Sequence, residues 1–186
     1  YMGFHQSEGG IHGTVCSIPE RLLREVYGLP FQAAIAEENL RGVMPCYCSI
    51  GGEPVSASEH LLTQILRQEM GFDGVAVADY SAVSNVHHTQ KLYETEAEAG
   101  LACLSAGMDV ELPDTVCFNE EMKAMFAQGK ADMALLDQAV RRVLRAKFRM
   151  GLFEHPFALT GSALSEMVHH PEDAVSYTHL RAHETS

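Results

Sequence analysis

Asp79 closes the run GVAVAD, residues 74–79, which is apolar until its last position. Unbroken apolarity without alternation fits a strand covered on both faces, as in a parallel sheet. In parallel α/β folds, ligands and catalysis gather at the carboxyl ends of the strands. A carboxylate there is costly to bury unless it has partners or a task. It can act as a nucleophile or take up a proton. It can equally cap the next turn, and the pattern alone leaves both readings open. Asp109 and Glu111 lie two apart on another apolar run, so strand geometry sends them to one face.

Other reactive residue types point to little. Cys16, Cys46, Cys48, Cys103 and Cys117 are odd in number and form no CxxC pair. A disulfide framework or structural zinc site is therefore not expected, and reduced thiols are. His87-His88 and His169-His170 are adjacent pairs, not the i, i+4 pair that a helix offers to zinc. They are expected to be loop histidines, and no metal or organic cofactor is implied.

These side chains need elements to position them. Short β-like runs alternate with helical patterns: strands at 42–47, 74–79 and 108–112, helices between and after them. Ser17 with Glu20, and Ser56 with Glu59, have capping-box spacing. Between them the helix toward Tyr27 is interrupted at Gly28 and Pro30, and a second piece covers 31–38. Gly51-Gly52 marks a turn within a loop at 49–54. Leu62, Ile65, Leu66 and Glu69 follow helical spacing after Ser56, and Leu136, Val140 and Val143 do so after Asp132. Gly107, Gly129 and Gly151 read as helix stops. The order β–α–β–α–β–α defaults to a parallel sheet. Three strands cannot close a barrel, which typically takes about 250 residues.

The 186 residues carry 13 Lys+Arg against 25 Asp+Glu, for a formal charge of −12. That balance argues against nucleic acid or an anionic membrane as partner. At 46% hydrophobic, the chain can build a sizeable core. No apolar run reaches the ~18 residues of a membrane span. Unpaired thiols favour a reducing, cytoplasmic setting.

Several segments in order carry a family resemblance. GFDGVAVADYSAV, residues 71–83, resembles the nucleophile segment of family-three glycoside hydrolases, roughly GF(D/E)Gxxx(S/T)D(W/Y). SEGGIHG at 7–13 resembles the loop after that family's Lys-His motif. IPERLLREVYGLPFQAAI at 18–35 and VMPCYCSIGGEPVSASEHLLTQILR at 43–67 resemble two further segments. AGMDVELP and AVRRVLRAKFRMGLFEHPF resemble the end of its barrel domain. The resemblance runs in register over about residues 1–157.

It implies an α/β fold, the later part of a (β/α)8 TIM-like barrel, incomplete here. Residues 158–174 would begin a linker toward a second domain. Residues 175–186, VSYTHLRAHETS, resemble a translated sequencing adapter and carry no fold information. The implied activity is that of a retaining exo-acting β-glycosidase on a β-linked oligosaccharide or aryl glycoside. Asp79 would be the nucleophile that forms the glycosyl-enzyme ester. Tyr47 would flank or donate to it. Met44, Tyr80 and Glu8 would contact sugar, each with packing or solvent as the plain alternative. Asp109 and Glu111 match a D-x-E-x-P pattern and read as structural support, while Arg21 and Arg24 read as ion-pair formers.

The resemblance also places parts elsewhere. The Lys-His pair and a sugar-binding Asp and Arg would lie before Tyr1, and the acid/base Glu after Pro171. A subgroup uses a His/Asp pair instead, but His5 and His12 lack its spacing. The isolated chain is therefore expected to be inactive. Three positions depart from the pattern: Cys48 replaces Asn, Gly51 replaces Asp or Asn, and Ala78 replaces Ser or Thr. A related exo-glycosidase, α-L-arabinofuranosidase or N-acetylglucosaminidase, and a non-catalytic sugar-binding relative remain alternatives.

Overall fold

A computed structural model describes residues 1–3, 14–162 and 164–165. The chain divides into two compact units, the first Tyr1–Ala146 and the second beginning at Lys147.

The first unit is built on parallel strands. β2 (Gly42–Val43) pairs in parallel with β5 (Val75–Ala76), Gly42 opposite Val75 and Val43 opposite Ala76. Val77 bridges in parallel to Val110. Tyr1 extends the sheet on the other side: its nitrogen donates to the Met44 carbonyl at 2.8 Å, and its carbonyl accepts from the Cys46 amide at 2.8 Å. One residue bonding to j−1 and j+1 is the parallel pattern. Passes through residues 1, 42–46, 75–78 and 110 thus lie side by side, and the sheet does not close. This is a partial (β/α)8-type arrangement. Gly74 is needed where β5 begins, because a Cβ there would run into the Arg41 carbonyl.

Residues 49–54, expected as loop, form a hairpin. β3 (Ser49–Ile50) pairs antiparallel with β4 (Glu53–Pro54) and parallel with β1 (Val15–Cys16). Gly51 and Gly52 make its turn at φ 62° and 88°.

The helices follow the expected order, with different starts. α1 (Glu20–Leu22) begins after Pro19 without a side-chain cap, so the Ser17 capping box does not form. Glu20 instead faces Arg24 and His60. A wide turn, Leu23–Tyr27, follows, in which the Gly28 amide reaches back five residues to Leu23 at 2.7 Å. α2 (Leu29–Glu38) runs on from it.

A π-helix, His60–Glu69, buries Leu61, Leu62, Ile65 and Leu66. Ser58, not Ser56, serves its start. The Ser58 hydroxyl accepts from the Leu61 amide at 3.2 Å and donates to Glu53 at 2.6 Å. The Ser56 hydroxyl is buried without a partner.

α3 (Ala82–His88) and α4 (Glu96–Ala106) come next. α4 carries a capping box of Thr95 with Glu98 and stops at Gly107, φ 117°. α5 (Glu120–Ala127) is capped by Asn119. α6 (Met133–Arg149) starts at Asp132, which accepts from the Ala134 amide at 2.9 Å.

Met2, Val55, Leu62, Ile65, Leu66, Val83, Val86 and Met108 are fully enclosed between sheet and helices. Each such side chain contributes about 1.5–3 kcal/mol. A second cluster joins Ala97 and Leu104 of α4, Met122 and Phe126 of α5, and Ala139 of α6. Beside it an apolar groove of about 580 Å³ stays open, walled by Leu104, Met122, Phe126, Leu136, Val140 and Leu144. Leu136, Val140 and Leu144 therefore spend helical-face hydrophobicity on solvent.

In the second unit the chain turns at Gly151, φ 67°, and the rings of Phe148 and Phe153 lie 4.3 Å apart. The segment 175–186 and His169-His170 lie outside the described residues. No helix among the described residues is long and apolar enough to cross a membrane.

Candidate active site

Asp79 follows the last laddered residue of the central pass. The Ala78 amide donates to Val110 at 2.8 Å, and the chain then turns sharply through Ser81 at φ 64°. The Ser81 amide donates to Leu112 at 2.9 Å, and the Asp79 carbonyl accepts from Ala82 at 3.0 Å. The half-buried side chain is thereby left at the carboxyl end of the strand, where its Oδ1 accepts from the Tyr80 amide at 2.7 Å.

Tyr47 reaches the same place from the neighbouring pass. Its hydroxyl donates to the Tyr80 carbonyl at 2.8 Å and lies beside the Asp79 carboxylate. Burial and that carboxylate push the phenol up to about 12, so it keeps its proton at neutral pH. Gln90 steadies the tyrosine from behind, donating to the Tyr47 carbonyl at 3.1 Å and to Ser49 Oγ at 3.2 Å.

The two side chains border a pocket of about 490 Å³ whose wall includes Tyr1, Tyr27, Phe31 and Met44. The Tyr1 and Phe31 rings meet edge-to-face at 5.1 Å. An apolar, aromatic cleft with a few convergent polar groups is the usual form of a small-molecule site.

Met44, Tyr47 and Asp79 are thus brought together. Tyr80 contributes backbone groups, while the residue is 62% exposed and does not line the pocket. Glu8 lies outside the described residues. Tyr27, Phe31 and Gln90 were not singled out by sequence reasoning, and Cys46 was read only as a reduced thiol. The i, i+4 spacing of Tyr27 and Phe31 is the one signal that marks a shared face.

Asp109 and Glu111 are both buried, and both act on the scaffold. Asp109 accepts from Arg67 at 2.8 Å, Arg142 at 2.9 Å and the Ala76 amide at 2.9 Å. Glu111 holds the following loop through the amides of Cys117 and Phe118, the latter at 2.7 Å. Arg21 pairs with Glu25, and Arg24 with Glu20 and Glu69.

Cys46 and Cys48, two positions apart beyond the end of β2 at Val43, turn their side chains to one side, as residues i and i+2 do in an extended chain. Their sulfurs lie 3.0 Å apart, both buried. All five cysteines are unbridged. His87 and His88 end α3 instead of lying in a loop. His87 bonds the Tyr93 carbonyl at 2.8 Å, and His88 bonds Glu96 at 2.9 Å. No group of three His, Cys, Asp or Glu suited to a metal ion occurs among the described residues. Gly51 keeps a left-handed turn that Asp or Asn would also accept, so that departure leaves the backbone unchanged.

Fold and site together define a stretch of (β/α)8-type barrel with an acid at a strand's carboxyl end. The chain belongs to glycosyl hydrolase family 3: residues 1–146 match its N-terminal domain. It is 35% identical to a β-xylosidase of Formosa agariphila over 83% of the chain and 22% of that protein. It is 32% identical to a lysosomal β-glucosidase of Dictyostelium discoideum over 93% of the chain and 21% of that protein. A crystal structure of a Listeria innocua β-glucosidase in complex with glucose superposes with a TM-score of 0.76 at 33% identity, covering 84% of this chain and 21% of that one. The chain thus spans about a fifth of the length of these relatives.

Proposed function

We propose that the protein carrying this chain is a retaining, exo-acting β-glycosidase that removes terminal β-D-glucosyl or xylosyl residues. The observation that carries this reading is the Asp79 carboxylate, bordering an aromatic pocket and held by its own strand-end backbone and by Tyr47. Asp79 attacks the anomeric carbon and forms a covalent glycosyl ester, which water then cleaves. The aromatic wall suits the apolar C–H face of a pyranose, and Tyr47 holds the nucleophile's orientation. The printed names of the relatives, β-xylosidase and β-glucosidase, support the same substrate class. A retaining mechanism needs a second carboxyl about 5–5.5 Å from the first. The family resemblance assigns it to a Glu of another domain, so the isolated chain is inactive on this reading.

A 2-deoxy-2-fluoro-β-glycoside inactivator, applied to the whole protein, tests the assignment. The expected result is a sugar adduct on the tryptic peptide of residues 68–91, localised to Asp79 by fragmentation. An adduct on a different carboxylate overturns it. Turnover of aryl β-glucosides by the isolated chain would overturn the need for a second domain.

A further inference from the structure

Beneath the pocket lies a thiol pair that hydrolysis does not use. Cys46 Sγ and Cys48 Sγ are 3.0 Å apart, and Cys46 also reaches the Met2 carbonyl at 3.4 Å. Residues two apart face one way in an extended chain, and both sulfurs lie on one side here. Cys46, 7% exposed, lines the same pocket as Asp79 and Tyr47, so it is the thiol of the pair nearer to a small reagent in that pocket. Cys48 is wholly enclosed behind it and is also hydrogen-bonded to Cys16.

We propose that Cys46 and Cys48 are a reversible two-electron oxidation site for peroxides, and that closing it displaces Tyr47. The Cys46 thiolate attacks one oxygen of hydrogen peroxide, the O–O bond breaks, and sulfenic acid forms while the departing hydroxide takes up the proton that the thiol gave up and leaves as water. The Cys48 sulfur then attacks the Cys46 sulfur, its proton leaves with the departing hydroxide as a second water, and the S–S bond forms. Both thiols are oxidised by two electrons in all, and one peroxide is reduced to two waters. Donation from the Cys48 thiol holds the Cys46 thiol below its ordinary range, which favours Cys46 as the attacking sulfur.

A disulfide brings the sulfurs to about 2.05 Å, so they must close by about 1 Å. Tyr47 is the single residue inside the ring that forms. Its backbone has to absorb the closure, and its hydroxyl is the group that ties Tyr80 and Asp79. A misplacement of that size at a positioning residue lowers turnover by about 10²-fold. This effect on hydrolysis rests on the function proposed above; the thiol chemistry does not.

Trypsin isolates the pair, since residues 42–67 hold Cys46 and Cys48 and no other cysteine. The whole protein is treated with hydrogen peroxide, alkylated, digested and weighed, with and without dithiothreitol, while aryl β-glucoside hydrolysis is followed. The expected result is a 42–67 peptide that escapes alkylation and has lost two hydrogens. Hydrolysis falls in parallel, and both changes reverse with reductant. Cys48→Asn leaves Cys46 unable to close a ring, and hydrolysis by that variant does not show the reversible loss. Full alkylation of both thiols after peroxide, or a bond from Cys48 to Cys16, overturns the site. A disulfide that leaves hydrolysis unchanged overturns the link to Tyr47. Hydrolysis missing before oxidation strikes the proposed function instead, and the mass result still decides the thiol chemistry.

Discussion

The Tyr47 hydroxyl donates to the Tyr80 carbonyl at 2.8 Å and also meets the carboxylate of the residue just before it, Asp79. One phenol therefore fixes both the backbone and the side chain at the end of the central strand. Tyr47→Phe removes that tie and leaves the ring in place. Hydrogen bonds to charged groups are worth about 1.5–3 kcal/mol, so kcat/KM for an aryl β-glucoside should fall about 10- to 100-fold. Unchanged kinetics in the variant would show that Asp79 needs no such support.

Asp109 is expected to matter for stability. It accepts from Arg67 and Arg142, and its own side chain is fully enclosed. Removing one member of a buried pair costs about 3–5 kcal/mol, because a charge is left stranded. Here it is Arg67, whose guanidinium burial already pulls below its ordinary value. Asp109→Ala should lower the denaturant midpoint of the whole protein by a corresponding amount. A loss within the range of an ordinary surface change would mean that solvent reaches Arg67 easily.

Glu111 gives a pH dependence with a definite sign. Burial pushes its carboxyl up, and the Phe118 and Cys117 amides oppose the push only in part. A folded-state value above the unfolded one means that folding binds the proton more tightly. The stabilisation is fully present below the ordinary carboxylate range and is lost as pH rises through the raised value. Glu111→Gln keeps an acceptor for the loop and removes the titration. Urea midpoints measured upward from about pH 4 should slope less in the variant, and an identical slope would assign the dependence to other groups.

Gly100 marks a close approach. A Cβ there would come within 2.6 Å of the Cys117 carbonyl oxygen. That neighbour is backbone in the loop that Glu111 grips, so it has little room to move. Gly100→Ala should cost about 1–3 kcal/mol despite its better helix propensity. A thermal midpoint equal to the parent's would show that the loop yields.

Much of this was legible in the sequence because it is written in local patterns. The apolar run before Asp79 announced a doubly covered strand, and Gly107 and Asp132 marked the limits of their helices. Ser17 and Ser56 misled because an S-x-x-E spacing says nothing about where the backbone first turns. Pro19 delayed one helix, and Ser58 was better placed to open the other. The pocket wall was illegible for another reason: Tyr27, Phe31 and Gln90 reach Tyr47 and Asp79 only through contacts distant in sequence.

Asp109 Oδ2 grips the Ala76 amide at 2.9 Å, three residues ahead of Asp79 on the same strand. Successive strand side chains point to opposite faces, so a slip of one position would carry Asp79 out of the pocket. The grip works as a detent that indexes the strand against its neighbours. The height of the acid at one end of the sheet is thus set by two arginines at the other. Substitutions around Arg67 and Arg142 are thus expected to act on Asp79 from the far end of its strand.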